Sequence, residues 1–308
     1  MSEPLAIDAD AYGKYARASA VADFLELLAL RGNESSEPEL ADLIGDNGWA
    51  LDDMFLDEGE SRPLSGRRDA ADEQARVVFS LLEERQQLLG HKWPFRLDKS
   101  RLKILRHKPA DEPYVALLAI LLCHAFDLKT PHLPERVFEA TVADVFGGRD
   151  LLVSNFGETA RKAHNFEKAV MEAGAVLSLE PTPLAAIRKR RAQDENVDTL
   201  CRTWWGDVRP GIWCIVGQVT CAVSEEWEGK ISEFSTATWG RFLNVAPEPA
   251  GFLAVPHHVE SLHFAKLVQD HQRVVVDRLR LVTFKAGVLA DEKALIEIIV
   301  ASKVESPW

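Results

Sequence analysis

Residues 197–220 read VDTLCRTWWGDVRPGIWCIVGQVT, and the fold is decided by how this stretch is read. Two runs, Val197 to Trp204 and Ile212 to Val219, are rich in β-branched, aromatic and aliphatic residues. Between them, Gly206-Asp-Val-Arg-Pro-Gly211 supplies residue types that favour a tight reversal. The stretch therefore predicts a β-hairpin. With the turn near Val208 and Arg209, Asp198 and Gln218 are near-symmetric about it, and facing positions of antiparallel strands lie side by side. Thr220, two positions beyond Gln218, points to the same face.

Working outward, Pro134 opens a helix that continues from Glu135 to Phe146. Phe138, Val142 and Val145 lie on one side of it, and Gly147-Gly148 ends it. Glu139 sits on this helix. Phe166 to Gly174 is again helical, and Leu184 to Gln193 continues with the basic tetrad Arg188, Lys189, Arg190, Arg191. Phe252 to Pro256 and Arg273 to Asp277 supply two more strands, and a last helix runs from Asp291 toward Val300. Toward the N-terminus, Ala16 to Leu30 and Ala70 to Leu89 carry helical apolar spacing, and Pro94 to His107 reads as a strand or hairpin edge. Tyr114 to Phe126 is an apolar run suited to a buried helix. Gly45 to Asp69 collects Gly, Pro, Ser and acidic residues and predicts a long loop. The expectation is an α+β protein. An acidic, mainly helical domain over 1–133 precedes a mixed-sheet core flanked by helices over 134–308.

Net charge is −12 over 308 residues, which at first argues against a polyanionic partner. The charge is not evenly spread. Residues 1–90 carry 20 acidic against 8 basic residues, so the remainder holds 28 of each and can present a basic groove. No stretch of about 18 apolar residues is present, and the opening MSEPLAIDADAYGK lacks the basic start and apolar run of a secretory signal. A cytoplasmic protein without membrane contact is expected. Cys123, Cys201, Cys214 and Cys221 never fall at zinc-type spacing and read as buried thiols.

Metal-dependent phosphodiester cleavage needs carboxylates gathered around a divalent ion, which activates water and neutralises charge on the phosphate. Glu139, Asp198 and Gln218 form such a set of ligands. Ordered along the chain are Phe138-Glu139, Asp194 with Asp198, Gly217-Gln218 and Trp227-Glu-Gly-Lys230. Val255-Pro-His257 and Asp277-Arg-Leu-Arg-Leu281 follow. With these motifs the last 170 or so residues resemble the PD-(D/E)XK restriction-endonuclease-like superfamily. More narrowly they are similar to a bacterial phage-defence-associated group. Weaker echoes are Ala22-Asp23-Phe-Leu-Glu26 and Trp93-Pro-Phe95.

The resemblance implies a core of helix, hairpin, strand and helix, and a Mg2+- or Mn2+-dependent DNA endonuclease acting in anti-phage defence. It also implies a protein partner, docked through the N-terminal domain, and a homodimer if both DNA strands are cut. One departure stands out: Gln218-Val219-Thr220 occupies the place of an acidic residue, any residue, then lysine. Lys230 is the candidate replacement for that lysine. The alternative is a catalytically inactive subunit that binds nucleic acid or a partner protein, and RNA is a third substrate class.

The plainer readings stand beside these. Glu139 is a solvated helix residue, Asp198 a turn or cap residue, Gln218 a backbone-bonding residue and Lys230 a surface lysine. Asp207 follows from turn propensity. Arg188, Lys189, Arg190, Arg191, Arg278 and Arg280 are candidate phosphate contacts; the first four alternatively form a solvated helix end, and the last two a buried ion pair. His257 and His258 read as structural histidines. Trp204, Trp205, Trp213, Trp227 and Trp239 read as core or hairpin packing.

Overall fold

A computed structural model describes residues 4–7, 10–47, 67–105, 108–163, 165–187, 195–207, 209 and 211–304. The expected hairpin is present as β5 (Thr199–Thr203) and β6 (Cys214–Val219), paired antiparallel with Thr199 opposite Gly217. It is the middle of a five-stranded mixed sheet. One strand before it, β4 (Leu151–Asn155), adds antiparallel to β5. Two after it, β7 (Ala250–Ala254) and β8 (Val274–Val276), continue parallel from β6, giving the order β4-β5-β6-β7-β8.

Parallel neighbours need a crossover. Two short helices, α8 (Trp227–Ser232) and α9 (Thr236–Leu243), carry the chain from β6 to β7, and α10 (Ser261–His271) carries it from β7 to β8. Both faces of the sheet are covered, and side chains alternate accordingly. Ile215, Val219, Phe252, Ala254 and Val276 join one apolar cluster. It holds Leu117 and Leu118 of α4 (Pro113–Ala125), Phe138 and Val142 of α5 (Pro134–Gly147), and Leu295 and Ile299 of α12 (Ala290–Ala301). On the other face Leu200, Cys214 and Val216 pack with Phe156 of α6 (Phe156–Ala163) and Phe166 of α7 (Phe166–Leu177). Leu253, Val255 and Val275 pack there with Trp227 and Leu267.

The N-terminal residues form α1 (Arg17–Leu30), α2 (Glu37–Asn47) and α3 (Arg67–Leu89), beside a small antiparallel sheet. That sheet is made of β1 (Ser35–Ser36), β2 (Phe95–Asp98) and β3 (Arg101–Ile104). The expected helices over 16–30, 70–89 and 114–126 are there, and the strand or hairpin edge expected from Pro94 onward is the β2–β3 pair. The α+β class is what the chain adopts. The cluster containing Phe138 and Phe252 also contains Val21, Phe24, Leu28, Val78 and Phe79, so the expected boundary at 133/134 runs through one continuous core. Most of the expected loop from Gly45 to Asp69 lies outside the described residues. Among the described residues no helix is long and apolar enough to cross a membrane.

Candidate metal centre

The strand order puts one end of the β5–β6 hairpin against α5 and α6. Asp198 immediately precedes β5 and is clamped there. Its N–H donates to the Gly217 carbonyl at 2.9 Å, its Oδ2 accepts from the Val219 N–H at 2.8 Å, and its carbonyl accepts from the Gly157 N–H at 3.0 Å. Gln218 lies between the two residues that hold Asp198, so the expected adjacency is realised at the backbone. A helix begins at Phe156 because Asn155 Oδ1 accepts from the Glu158 N–H at 3.1 Å, closing its first turn. That start brings Gly157 up against the carboxylates.

Glu139 is buried to 7 % exposure on α5. A β-carbon built on Gly157 would lie 3.0 Å from Glu139 Oε2 and 3.1 Å from Asp198 Oδ1. It would lie 3.3 Å from Arg161 Nη1. Two carboxylates and one guanidinium therefore close in on a single methyl-sized spot at the Gly157 α-carbon, where a side chain would crowd them. Arg161 grips Glu139 with both arms, at 3.0 Å to Oε1 and 2.6 Å to Oε2. The hydrogen bond to Glu139, and beyond it the charges of Glu139 and Asp198, raise the Arg161 pKa further. The sequence carries a signal for this helix in Asn155 followed three residues later by Glu158, yet neither β4 nor α6 was among the expected elements, and Arg161 went with them.

Gln218 and Lys230 meet at a third residue, Glu233, which was also not foreseen. Gln218 Nε2 donates to Glu233 Oε2 at 3.2 Å, and Lys230 Nζ lies 3.6 Å from the same oxygen. Gln218 is 8 % exposed, and its Oε1 is buried without a hydrogen-bond partner. Thr220 closes a local turn, its hydroxyl accepting from the Ala222 N–H at 3.1 Å.

The donor chemistry fits a hard divalent cation: Glu139 and Asp198 converge on Gly157, and the neutral carbonyl oxygen of Gln218, on the strand paired with β5, lacks a partner. The set is lean. Among the described residues no three His, Cys, Asp or Glu side chains are grouped to hold a metal. Arg161 presently supplies the positive charge, so a cation between Glu139 and Asp198 requires its guanidinium to withdraw.

The remaining candidates are placed elsewhere. The expectation that Arg278 contacts phosphate is corrected by its burial: fully enclosed, it donates to Asp23 Oδ1 at 2.6 Å. Asp23 in turn lies 2.7 Å from Arg85 and accepts from Tyr12, and Glu26 accepts from Trp93 and Tyr114. The N-terminal and C-terminal motif echoes thus meet in one buried charge cluster away from Glu139. Arg280 donates to the Val275 carbonyl at 2.7 Å and stacks on Phe264 at 4.4 Å, beside the N-cap Asp277. His258 is structural, bonded to Arg85 at 3.2 Å and lying 3.5 Å from Glu84. Arg188, Lys189, Arg190, Arg191 and Asp194 lie outside the described residues. Asp207 pairs with Arg209 at 2.6 Å, as a turn residue does. All four thiols are free and buried, and burial pushes Cys123 and Cys214 up to about 12, far from nucleophilic use. Trp227 and Trp239 are core residues, whereas Trp204, Trp205 and Trp213 are exposed at the hairpin end, where Trp205 packs against Trp213.

Comparison of the chain with known protein families, with curated proteins and with solved structures finds no match.

Proposed function

We propose that this protein is a divalent-metal-dependent DNA endonuclease of the PD-(D/E)XK type, working in the cytoplasm as the nuclease of an anti-phage defence system. The observation that carries the reading is the convergence of Glu139 and Asp198 on Gly157 at the end of the hairpin. Order supports it too: a helix bearing Glu139, an antiparallel hairpin bearing Asp198 and Gln218, then a parallel strand. Glu139 and Asp198, with Gln218 Oε1, would hold Mg2+ or Mn2+, whose chemistry is to polarise the phosphate and acidify a water. Asp198 is fixed for that work by the Val219 N–H. Arg161, bound to Glu139, and Lys230, which meets Gln218 at Glu233, are the described cations that would meet a phosphate. A protein partner on the acidic N-terminal helices, and a pair of sites in a homodimer, complete the proposal.

A second reading is favoured by one specific contact. Arg161 bound bidentately to Glu139, with Thr220 in place of a lysine, describes a site that keeps its shape without cutting, in a subunit that binds nucleic acid or a partner. Incubating supercoiled plasmid with the protein and Mg2+ or Mn2+ separates the two. Nicked or linear product from wild type, lost by at least about a hundredfold in Asp198→Ala, is the result expected of the endonuclease. Intact plasmid with both metals removes that reading and leaves the binding subunit.

A further inference from the structure

The residues that follow β7 and β8, His258-Val259 and Asp277 to Arg280, take no part in the Glu139–Asp198 site. They meet α3 and α10 around a cavity of about 330 Å³. It lies outside the C-terminal ends of two parallel strands, on the seam where an N-terminal helix reaches the sheet, and both are places where small ligands are held. Its volume is at the small end of such sites, which run from about 300 to 1,000 Å³. That size suits a small molecule and not a nucleic-acid strand.

Two charges in its lining are held in place. An arginine nitrogen can only donate, so Arg85 Nε at 3.2 Å makes His258 Nδ1 an acceptor and leaves the ring proton on Nε2, 3.5 Å from Glu84 Oε2. Ser261 Oγ donates to Glu84 Oε1 at 2.7 Å. The His258 hydrogen bond, ahead of the opposing cost of burial, lowers the Glu84 pKa and keeps the group ionised. Each of its oxygens retains a free lone pair. The second charge is Arg280. Its guanidinium lies flat on Phe264, 4.4 Å from the ring centre, with Nη1 spent on the Val275 carbonyl at 2.7 Å and the Nε–Nη2 edge without a partner among the described residues. Asp277 does not fill that edge, because its oxygens accept from the Arg280 and Val259 N–H groups at 3.0 and 3.4 Å. Leu89, Val259 and Leu279 supply an apolar, nearly enclosed surface to the same cavity.

These features select among ligands. A phosphate dianion would meet one guanidinium against the carboxylates of Glu84 and Asp277. An amine alone would leave Arg280 opposing it, and an uncharged apolar body would desolvate both charges without pairing either. A molecule that bears both an ammonium and a carboxylate answers Glu84 and Arg280 together, and a guanidinium edge receives a carboxylate with two parallel bonds.

We propose that this cavity binds a free amino acid with an apolar side chain, its carboxylate taken by Arg280, its ammonium by Glu84 and its side chain by Leu89, Val259 and Leu279. The site stands independently of the nuclease reading. Because α3 supplies one wall and the sheet end the others, an occupied cavity ties the N-terminal helices to the sheet and stabilises the fold.

The test is calorimetric titration of the full-length protein with L-leucine and L-phenylalanine, alongside leucinamide, which lacks the carboxylate, N-acetyl-leucine, which lacks the ammonium, and inorganic phosphate. At least one of the two amino acids is expected to bind one to one and to raise the thermal midpoint. Leucinamide and N-acetyl-leucine are each expected to bind at least about tenfold more weakly than leucine. These arms use wild type alone, so they do not depend on any variant folding. Arg280→Gln is expected to lose the preference for leucine over leucinamide and keep that over N-acetyl-leucine, and Glu84→Gln to do the reverse. No heat and no thermal shift with either amino acid at about 10 mM would overturn the site. So would equal affinity for leucine and its two derivatives, or binding of phosphate alone. Leucine binding undiminished in both variants would place the amino acid elsewhere and overturn it as well.

Discussion

Arg161 is the residue on which the chemistry of the site turns. Its guanidinium stands against Glu139 at 2.6 and 3.0 Å and meets Asp198 beside Gly157. A positive charge already seated between two carboxylates opposes a second one, and the opposition is strongest in a partly buried site. Replacing Arg161 by Gln keeps a polar side chain and removes the charge. Mn2+ affinity, followed by calorimetric titration, is expected to rise at least about tenfold, or about 1.4 kcal/mol, and to be lost again when Asp198→Asn is added. A fall in affinity on removing the guanidinium would show that Arg161 orders the ligands instead of blocking them. The readout is binding alone, so it holds whether or not the protein cuts DNA.

At the scale of elements, the β6–β7 contact is what holds the hairpin against the rest of the sheet. A β-carbon at Gly217 would fall 2.2 Å from Phe252 Cδ1 and 2.4 Å from the Phe252 carbonyl oxygen. The second of these is backbone and cannot rotate away. Gly217→Ala must therefore pry β6 from β7, and a loss of about 1–3 kcal/mol in urea unfolding is expected. Unchanged stability would mean that the two strands are not so closely apposed. The same residue shows why the hairpin was legible: β-branched and aromatic runs on either side of Gly206 to Gly211 mark two strands whatever surrounds them. β4 was not legible. Leu151–Asn155 is five residues mixing two leucines with Ser and Asn, and it becomes a strand by pairing with β5, a tertiary fact. With β4 went α6, and with α6 went Arg161 and Gly157. Glu139 and Asp198 could be named from residue order alone, while the residues that decide whether they are open to a cation could not. The exposure of Trp204, Trp205 and Trp213 was hidden for a related reason, since strand-like composition does not say where the sheet ends.

For the whole molecule, the buried cluster of Asp23, Glu26, Arg85 and Arg278 ties α1 and α3 to α11 (Arg278–Phe284) across more than two hundred residues of chain. Charges so enclosed are held at a desolvation cost, and removing one partner strands the others. His257 lies beside this cluster, edge-on to Tyr12 and Trp227 at 5.1 Å each, with the charges of Asp23 and Arg278 close enough to act on it. Burial is the dominant influence and pushes its pKa from 6.5 down to about 3. The folded value lies below the unfolded one, so between pH 6.5 and about 3 the unfolded chain takes up a proton that the native protein refuses. Stability therefore falls on acidification through that window, at up to about 1.4 kcal/mol per pH unit for one group. His263, also lowered by burial, adds in the same direction. Glu26 and Asp277 are raised by burial, so the native state binds protons there before the unfolded chain does, which opposes the trend at its acid end. His257→Leu keeps an apolar body against Tyr12 and Trp227 and has nothing to protonate. Urea unfolding from pH 7 down to about 4.5 is expected to show a slope shallower by close to one proton in the variant than in wild type. Parallel pH profiles for the two proteins would mean that His257 takes its proton in the folded state, and that the cluster beside it is reached by water.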